Sequence, residues 1–305
     1  MTYLFSWCLW DANVSRETYD AMSPESQNIH KGVPKEVSDF MGSGEQFSLV
    51  WESKLKAFKT QPIPNDLSPY YEHPTYLSHN EVARGWLAWI YRVVQKWNTK
   101  SKLKWLGQAN AAGRRVLDYG CGVGVFGAEA QNKGWVIDGL EVSLRARLAA
   151  QKKGLSVFSN QSEAAGKTYD VITLWHVLEH LESPEHMSQW FSERLSKQGV
   201  LVIAVPNYRA WDAKYYQEYW AAYDVPRHLW HFSKESIKTI FRQEFELMHT
   251  RPMWFDAIYV SLLSERYKKQ KGNALRGVLV GVWSNLAAAI TNEPSSRVYV
   301  LKKRT

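Results

Sequence analysis

The sequence predicts an α/β fold in which helices flank a parallel sheet, preceded by an additional N-terminal segment. From residue 114 onward, short apolar runs rich in β-branched residues alternate with stretches of helical periodicity. The first of these runs leads into a glycine-rich turn and a helix, an arrangement that offers backbone N–H groups to a ligand. The chain has 305 residues, of which 45% are hydrophobic. This is enough for one large domain with an appendage.

Seven strands and four helices are expected in the α/β region. The strands are predicted at 114–119, 135–141, 155–160, 169–175, 199–205, 245–252 and 296–303. The helices are predicted near 124–133, 143–153, 184–197 and 233–243. The third helix has the clearest boundaries, since Ser183 can cap it, Pro184 suits its first position and Gly199 follows it.

Residues 1–68 are predicted to form an appendage, and residues 69–305 the α/β domain. The appendage contains several turn signals and little periodicity, which is typical of an irregular or small β unit. After it, apolar residues recur at helical spacing from Glu81 to about Trp97. We expect this amphipathic helix to pack on the α/β domain.

The segment Val116–Gly124 carries the clearest functional signal. It is an apolar strand that ends in Asp118, followed by glycines at positions 120, 122 and 124. Glycine permits backbone angles that other residues avoid and lets the main chain approach a ligand closely. Because a carboxylate beside the loop would repel a phosphate, the expected ligand is cationic or neutral. S-adenosylmethionine, with its ammonium and sulfonium groups, therefore fits better than a dinucleotide.

A dinucleotide site is the alternative, because Gly122–Gly127 also has the G-x-G-x-x-G spacing of NAD-binding folds. In those folds an acid about 20 residues further on binds the ribose hydroxyls. Glu141, at the end of the second predicted strand, meets this requirement for either cofactor. The acid before the glycines, Asp118, is the feature that favours S-adenosylmethionine.

Several segments of the chain resemble one enzyme family. Val116–Gly124, Glu141 and Tyr169–Leu181 resemble class I S-adenosylmethionine-dependent methyltransferases, and the likeness covers about Tyr70 to the C-terminus. It implies a Rossmann-like, seven-stranded, mostly parallel sheet with an antiparallel final strand. It also implies S-adenosylmethionine as cofactor and methyl transfer to an oxygen or carbon of a small molecule or glycan precursor.

The resemblance also implies a set of cofactor-binding residues. Asp118–Gly124 are expected to surround the methionine part, and Glu141 to bind the ribose hydroxyls. Asn160 and Gln161 follow the third strand, where an adenine contact is expected. The full expected set is Asp118, Tyr119, Gly120, Cys121, Gly122, Gly124, Phe126, Glu141, Val142, Asn160, Gln161, Trp175, His176, Tyr76 and His79.

Two segments are expected to cover this site. Residues 207–232 follow the fifth strand and are rich in Tyr and Trp, so they are the natural substrate lid of an open α/β sheet. In similar methyltransferases the segment before the amphipathic helix closes over the cofactor, so Tyr76 and His79 could cover it or staple the helix start. Three tryptophans of the lid could line an acceptor pocket or pack in the core: Trp211, Trp220 and Trp230.

Three histidines are the expected catalytic residues. Methyl transfer is an in-line displacement that requires alignment and, for a hydroxyl acceptor, removal of a proton. His176 and His180 follow the fourth strand, and His228 lies in the lid. Because histidine titrates near neutral pH, one of them can act as general base. The other possibility is that they fix the loop or contact the cofactor.

The same histidines raise the question of a metal. The run His176-Val177-Leu178-Glu179-His180 contains part of the Glu-x-x-Glu-His motif with which some methyltransferases hold a divalent ion, helped by a distant histidine such as His228 or His231. The first acid of that motif is absent, and we predict no metal. Arg227 could clamp a phosphate or carboxylate, or pair with Asp224 and pin the lid.

A narrower likeness concerns the lid and the appendage. Trp220, Asp224–His228 and His231–Ser233 resemble bacterial methyltransferases often found with glycan or small-molecule biosynthesis. Many of those begin with a cysteine-rich zinc ribbon. Here only Cys8 precedes the glycine loop, so a four-cysteine zinc site is impossible. We expect Phe47–Pro64 to be a degenerate remnant of such a ribbon.

Charge and composition limit the classes of molecule that the protein is expected to bind. A net charge of +8 favours anionic partners. The basic clusters, one of them Lys268-Lys269-Gln270-Lys271, are scattered, so RNA binding is not favoured. An RNA methyltransferase and a non-catalytic cofactor-binding module remain the alternatives. We expect no signal peptide, no membrane span and, from two cysteines without a disulfide framework, a cytoplasmic protein.

Overall fold

The computed structural model describes residues 32–72, 86–109, 112–268 and 273–304. Within them the strands are β1 (Glu36–Ser38), β2 (Gln46–Glu52), β3 (Ala57–Gln61), β4 (Arg115–Tyr119), β5 (Val136–Leu140), β6 (Ser156–Phe158), β7 (Tyr169–Trp175), β8 (Leu195–Pro206), β9 (Trp230–His231), β10 (Phe245–Pro252) and β11 (Ser296–Lys303). The α-helices are α1 (Ser68–Glu72), α2 (Trp86–Gln108), α3 (Val125–Gln131), α4 (Leu144–Gln151), α5 (Pro184–Arg194), α6 (Trp211–Tyr216), α7 (Lys234–Phe241), α8 (Trp254–Lys268) and α9 (Ala274–Thr291).

Seven strands form the central sheet, in the spatial order β10-β11-β8-β7-β4-β5-β6. The five strands from β8 to β6 pair in parallel, whereas β11 runs antiparallel to both of its neighbours. Val116 and Leu117 of β4 are both fully buried, in two different apolar clusters, because helices cover both faces of the sheet. The predicted fold class, a Rossmann-like α/β fold with an antiparallel last strand, is confirmed.

The helix expected over 81–97 is longer than its apolar periodicity indicates. It is described from Trp86 and continues to Gln108. Lysine and leucine are good helix formers, so the Lys-rich stretch after Trp97 extends the helix instead of ending it. The extension brings Lys102 over the ring of Trp175, at the carboxyl end of β7.

Two helices between β10 and β11, α8 and α9, were not predicted from the sequence. Apolar residues lie on every side of α9, so it has little of the one-faced periodicity that identifies an amphipathic helix. Gly281 allows α9 to approach α8 closely, since a Cβ at this position would lie 2.5 Å from Cα of Ile258.

A second, antiparallel sheet joins the N-terminal segment to the predicted lid. Its strand order is β1-β2-β3-β9, and Phe58 of β3 pairs with His231 of β9. The Thr60 hydroxyl donates a hydrogen bond to the carbonyl of His228 over 2.6 Å. The N-terminal strands therefore hold the segment that carries His228.

The predicted lid, residues 207–232, is tightly packed. The Trp220 side chain is 1% exposed, and its indole N–H donates to Asp212 over 2.9 Å. The same buried carboxylate accepts hydrogen bonds from Ser284 of α9 and from Ser295. Because a buried carboxylate requires such partners, this network ties α6, α9 and the end of the sheet together.

Among the described residues, one helix is long and apolar enough to cross a membrane. It is α9, and only 28% of its 18-residue window is buried inside the fold. Gly, Ser and Asn interrupt its apolar runs, which explains why no membrane-length stretch was expected from the sequence.

Candidate functional site

A cavity of about 500 Å³ opens at the carboxyl ends of β4 and β7, where ligands of open α/β sheets bind. It is lined by the glycine loop, α2, the end of β7, α8, the lid and Met41. Its walls include Asn98, Thr99, Lys102, Asp118, Gly120, Cys121, Gly122, Phe126, Trp175, His176, His180, Ala221, Ala222, Asp224, His228, Met253, Asp256, Tyr259, Val260, Leu263 and Tyr267.

The glycine loop presents main chain to this cavity. The backbone N–H groups of Gly120 and Cys121 both donate to the carbonyl of Leu140, which ties the loop to β5. Gly122 has φ +53°, in the left-handed region that favours glycine. A Cβ at Gly122 would meet no described atom within 4 Å, so the loop is open on the side where a ligand can approach.

Opposite charges meet beside the loop. Asp118 is 2% exposed and accepts a 2.7 Å hydrogen bond from the Thr173 hydroxyl. Burial raises the pKa of Asp118 to about 6. The Lys102 ammonium lies 4.8 Å from the centre of the Trp175 ring. Burial lowers the pKa of Lys102, and the carboxylates of Asp118 and Asp256 oppose that effect. A zwitterionic amino-acid group matches this pair of charges.

Glu141, the expected ribose-binding acid, adjoins the loop without lining the cavity. Its carboxylate accepts hydrogen bonds from the backbone N–H groups of Gly122 (2.9 Å) and Ser143 (2.8 Å). It thereby connects the glycine loop to the N-terminus of α4. Glu141 remains a predicted ribose ligand whose carboxylate is held beside the loop backbone.

His176 is held between two carboxylates at the end of β7. Its Nδ1 lies 3.3 Å from Oε1 of Glu179, and its Nε2 lies 3.1 Å from Oδ2 of Asp256. Burial lowers the pKa of His176, but the two carboxylates outweigh burial and raise it to about 9. Near neutral pH this imidazole is protonated, so it is suited to holding Glu179 and Asp256 in place.

His180 and His228 form an imidazole pair in the cavity wall, with ring centres 4.7 Å apart. Nδ1 of His180 lies 2.9 Å from the carbonyl oxygen of Arg227, and Nδ1 of His228 lies 2.9 Å from that of Ala222. A carbonyl only accepts, so Nδ1 of each ring carries a hydrogen in these contacts. The Tyr71 hydroxyl also lies 3.0 Å from Nδ1 of His180, and Nε2 of His228 lies 3.9 Å from Oδ2 of Asp224. Burial lowers the pKa of His228 to about 4.

Three side chains at this position have the arrangement of metal ligands. They are Glu179, His180 and His228. A carboxylate oxygen of the first and a ring nitrogen from each histidine all lie within 4.8 Å of one another. Oε2 of Glu179 is buried and has no hydrogen-bond partner among the described residues. The group could hold a divalent cation, because imidazole and carboxylate ligands suit such ions.

Arg227 is engaged inside the protein and does not line the cavity. Its Nη2 lies 2.8 Å from Asp39 and 2.6 Å from Asp224, and its Nη1 donates to the carbonyl of Tyr70 over 3.2 Å. Burial acts to lower the pKa of Arg227, but the two carboxylates raise it. Of the two roles considered, these contacts favour the pin that fixes the lid.

The structure brings part of the predicted site together in the cavity wall. The predicted residues that line it are Asp118, Gly120, Cys121, Gly122, Phe126, Trp175, His176, His180 and His228. Those outside its lining are Tyr119, Gly124, Glu141, Val142, Asn160 and Gln161. Tyr76 and His79 lie outside the described residues. Trp220 and Trp230 are buried in the fold, and Trp211 stacks on Tyr215.

Two of the residues outside the lining are connected to each other. The Gln161 side-chain amide donates to the Tyr119 hydroxyl over 2.7 Å. Asn160 accepts hydrogen bonds from the backbone N–H groups of Ser162 and Glu163, and Val142 is 78% exposed. Their roles toward the cofactor stay predictions.

Sequence reasoning missed the cavity residues contributed by α2 and α8. Lys102 lies in a Lys-rich run beyond Trp97, where the apolar periodicity that predicted the helix has ended. On α8, Tyr259, Leu263 and Tyr267 recur every four residues and so share one helix face. That four-residue spacing is the sequence signal by which this face of α8 could have been recognised.

Comparisons with known proteins add the family. A family model described as a methyltransferase domain matches residues 90–247, just over half of the chain. A crystal structure of magnesium protoporphyrin IX methyltransferase from Synechocystis PCC 6803, with bound SAH, aligns with a TM-score of 0.52 at 15% identity. The alignment covers 77% of this chain and 97% of that chain, and it shows the fold.

Curated relatives match a shorter part of the chain. A ubiquinone biosynthesis O-methyltransferase of Actinobacillus pleuropneumoniae serotype 5b (strain L20) is 29% identical over 109 residues, 31% of this chain and 47% of that relative. One from Azoarcus sp. (strain BH72) is 34% identical over 117 residues, 35% of this chain and 50% of that relative. The chain thus spans about half the length of these curated relatives.

Proposed function

We propose, from the premise that this chain belongs to the methyltransferase domain family, that it methylates a hydroxyl oxygen of a small, largely apolar molecule. The chain is an S-adenosylmethionine-dependent methyltransferase, as its glycine loop predicts, and the proposal concerns its acceptor. One observation carries it: His180, in the cavity wall, directs Nδ1 at the carbonyl of Arg227, which leaves its Nε2 as the ring atom to receive a proton.

The donor is assigned to the end of the cavity formed by the glycine loop. Lys102 is placed to pair with the carboxylate of the methionine part, and Asp118 with its ammonium. S-adenosylmethionine, when bound, supplies a methyl group on a positively charged sulfur. We assign the acceptor to the part of the cavity beside the imidazole pair, called the acceptor end.

The acceptor end favours a small apolar molecule over a glycan precursor. Its walls are supplied by Met41, Ala221, Ala222, Val260 and Leu263, with the aromatic rings of Tyr259 and Tyr267. A glycan would require many polar partners along these walls, whereas pockets lined by apolar and aromatic side chains suit planar or aliphatic molecules. The relatives named for O-methylation in ubiquinone biosynthesis support oxygen as the methylated atom.

The residues of this chain would align the acceptor and move its proton. The acceptor hydroxyl donates a hydrogen bond to Nε2 of His180, which takes the proton as the oxygen–methyl bond forms and the sulfur–methyl bond breaks. We assign this step to His180, because His228, with a pKa of about 4, is too weak a base to hold a proton near neutral pH. Protonated His176 holds Glu179 beside the pair.

His180→Gln tests this assignment. We expect kcat to fall by a factor on the order of 10² to 10⁴, because a positioned base contributes about that much, while the Kd for S-adenosylhomocysteine stays unchanged. His228→Gln should lower kcat less. His186→Gln, at an exposed position on α5, is the matched control.

Acceptors for this test come from a panel of phenols, aliphatic alcohols and sugars assayed with labelled cofactor. Methylation of phenols or alcohols, lost in His180→Gln, supports the proposal. Methylation confined to sugars or RNA, or full activity in His180→Gln, contradicts it.

A divalent cation held by Glu179, His180 and His228 is the second candidate arrangement. The observation that favours it is the unpartnered Oε2 of Glu179, which is buried among the described residues. A metal there would lower the pKa of a bound acceptor hydroxyl. Dialysis against EDTA separates the two, because the imidazole mechanism predicts unchanged kcat. Activity lost on dialysis and restored by Mg²⁺ or Zn²⁺ would favour the metal.

We also propose that Phe47–Pro64 is the remnant of a zinc ribbon in a bacterial small-molecule or glycan-type subgroup. The support is that β2 and β3, within Phe47–Pro64 or adjoining it, form an antiparallel pair. Elemental analysis of purified protein should find no stoichiometric zinc in either the wild type or His180→Gln. Zinc that persists in His180→Gln would contradict the loss of the ribbon site.

A further inference from the structure

Helix α9 exposes a continuous apolar stripe. The exposed fractions of its side chains are 70% for Leu275, 60% for Leu279, 57% for Trp283, 56% for Leu286 and 88% for Ile290. These positions are spaced by four, four, three and four residues, so they lie along one side of the helix. Covering such a stripe favours association with the partner surface by about 25 cal/mol per Å² of apolar area removed from water.

The opposite side of α9 is committed to the protein core. Gly281 lies directly against the α8 backbone at Ile258, and the Ser284 hydroxyl donates to the buried carboxylate of Asp212 over 2.9 Å. Crossing a bilayer would require this packed face to leave the fold and the Asp212 network to lose a partner. The stripe is therefore suited to lying on a surface.

Aromatic and basic side chains flank the stripe. The Trp283 ring lies 6.4 Å from that of Trp211, which stacks on Tyr215 at 5.2 Å. The Lys268 ammonium lies 5.3 Å from the Tyr215 ring centre. Lys268 and the neighbouring Arg266 are exposed at the end of α8.

The acidic side chains that adjoin α9 along the chain are paired with arginines. Helix α9 itself contains no Asp or Glu; Glu265, near its start, is buried against Arg276, and Glu293, just after its end, pairs with Arg297. Apolar residues with Trp on one face and cations at the border are the composition of helices that lie in the interface of an anionic membrane.

We propose that this surface, Leu275, Leu279, Trp283, Leu286 and Ile290 with Lys268 and Arg266 beside them, docks onto an anionic lipid bilayer with α9 parallel to the membrane plane. A second copy of the chain is a poorer occupant, because apposing two such surfaces brings like charges together in a protein of net charge +8.

Docking here places the membrane close to the cavity. Helix α8 packs against α9 and contributes Tyr259 and Leu263 to the cavity wall. A membrane-soluble acceptor would then have a short route from the bilayer to the acceptor end.

The test is flotation of the full chain with vesicles. We expect it to float with phosphatidylcholine vesicles that contain about 30% phosphatidylglycerol, and weakly or not at all with phosphatidylcholine alone, because Lys268 and Arg266 need anionic headgroups. Binding to the anionic vesicles should weaken as salt is raised. No flotation with either vesicle would overturn the proposal.

A matched pair of variants locates the surface. Leu279→Asn with Leu286→Asn should lower the vesicle partition coefficient at least about tenfold, because two leucines lose their contact with lipid. Leu144→Asn with Leu148→Asn, on the exposed face of α4, makes the same change elsewhere and should leave it unaltered. Equal losses in both pairs would contradict docking through α9.

Sedimentation without vesicles distinguishes the second-copy occupant. We expect the wild type and the Leu279→Asn/Leu286→Asn variant to sediment identically and to unfold at the same temperature, since both leucines are exposed. A wild-type dimer that this variant converts to a monomer would assign the stripe to a second copy and overturn the proposal.

Discussion

His176 and His228 line the same cavity and are held in opposite protonation states. His228 is buried and His176 is half-buried, with 33% of its side chain exposed, and loss of hydration by itself lowers the pKa of an imidazole. His176 has two carboxylates at hydrogen-bond distance and its pKa rises to about 9, whereas burial and the neighbouring His180 lower the pKa of His228 to about 4 against the opposing effect of Asp224. One cavity wall thus contains a protonated imidazole after β7 and a neutral imidazole from the lid.

The raised pKa of His176 predicts a loss of stability at alkaline pH. The folded-state pKa of about 9 exceeds the ordinary value of 6.5, so the protonated contacts stabilise the fold fully below pH 6.5. That contribution, at most about 3 kcal/mol, is lost as the pH rises from 6.5 through 9.

Urea unfolding across this pH range measures the effect. His176→Gln should flatten the decline in unfolding free energy between pH 6.5 and 9, and exposed His186→Gln should leave it unchanged. An equally steep decline in His176→Gln would show that other groups cause it.

Lys102 is predicted to determine cofactor affinity. Its ammonium lies over Trp175 and close to Asp118, so Lys102→Met removes the cation available to the methionine carboxylate. We expect the Kd for S-adenosylhomocysteine to rise about tenfold to hundredfold, since a hydrogen bond to a charged group contributes about 1.5–3 kcal/mol.

Calorimetric titration provides the measurement. Lys104→Met, an exposed position two residues along the same helix, is the control and should bind normally. Normal affinity in Lys102→Met would place the carboxylate elsewhere.

At the scale of elements, the α8–α9 pair depends on a close backbone approach. A Cβ at Gly281 would lie 2.5 Å from Cα of Ile258 and 2.9 Å from the carbonyl oxygen of Ala257. These are main-chain atoms, so the helices themselves must separate to admit a methyl group. The same pair forms a cavity wall on one side and the exposed stripe on the other.

Gly281→Ala is therefore expected to destabilise the protein by about 1–3 kcal/mol, the usual cost of overpacking. Gly107→Ala, also within a helix but with no described atom within 4 Å of its Cβ, should be neutral or stabilise by up to about 1 kcal/mol. Chemical denaturation compares them. Destabilisation of equal size in both would mean that the helix approach is unimportant.

At the scale of the whole molecule, one buried ion-pair cluster connects three parts of the chain. Arg227, in the lid, bonds Asp39 after β1, Asp224 in the lid and the backbone at Tyr70 in α1. The segment that carries His228 is thereby fixed to the N-terminal strands. The N-terminal segment therefore helps to position the imidazole pair.

Arg227→Met should lower the free energy of unfolding by about 3–5 kcal/mol, because Asp39 and Asp224 are left buried without their cation. Arg209→Met removes an exposed arginine 3.7 Å from Glu293 and should cost at most about 1 kcal/mol. Both are measured by urea unfolding. A loss under 1 kcal/mol for Arg227→Met would show that the cluster does not pin the lid.

Local patterns explain how far the sequence predicted this molecule. The alternation of apolar runs with helices located all seven strands of the central sheet, because each signal lies within a few neighbouring residues. The glycine loop and Asp118 predicted the cofactor end for the same reason: strand, turn and helix are contiguous there. Signals of this kind do not depend on the rest of the fold.

The sequence by itself therefore determined the central α/β sheet and the methyltransferase family, and it predicted the cofactor loop. Tertiary structure alone decided that Lys102 lies near Asp118 and that Asp256 bonds His176. It also decided that Arg227 is enclosed by Asp39 and Asp224. These partners are far apart along the chain, and their pKa values and roles depend on burial and distance, which exist only once the chain has folded.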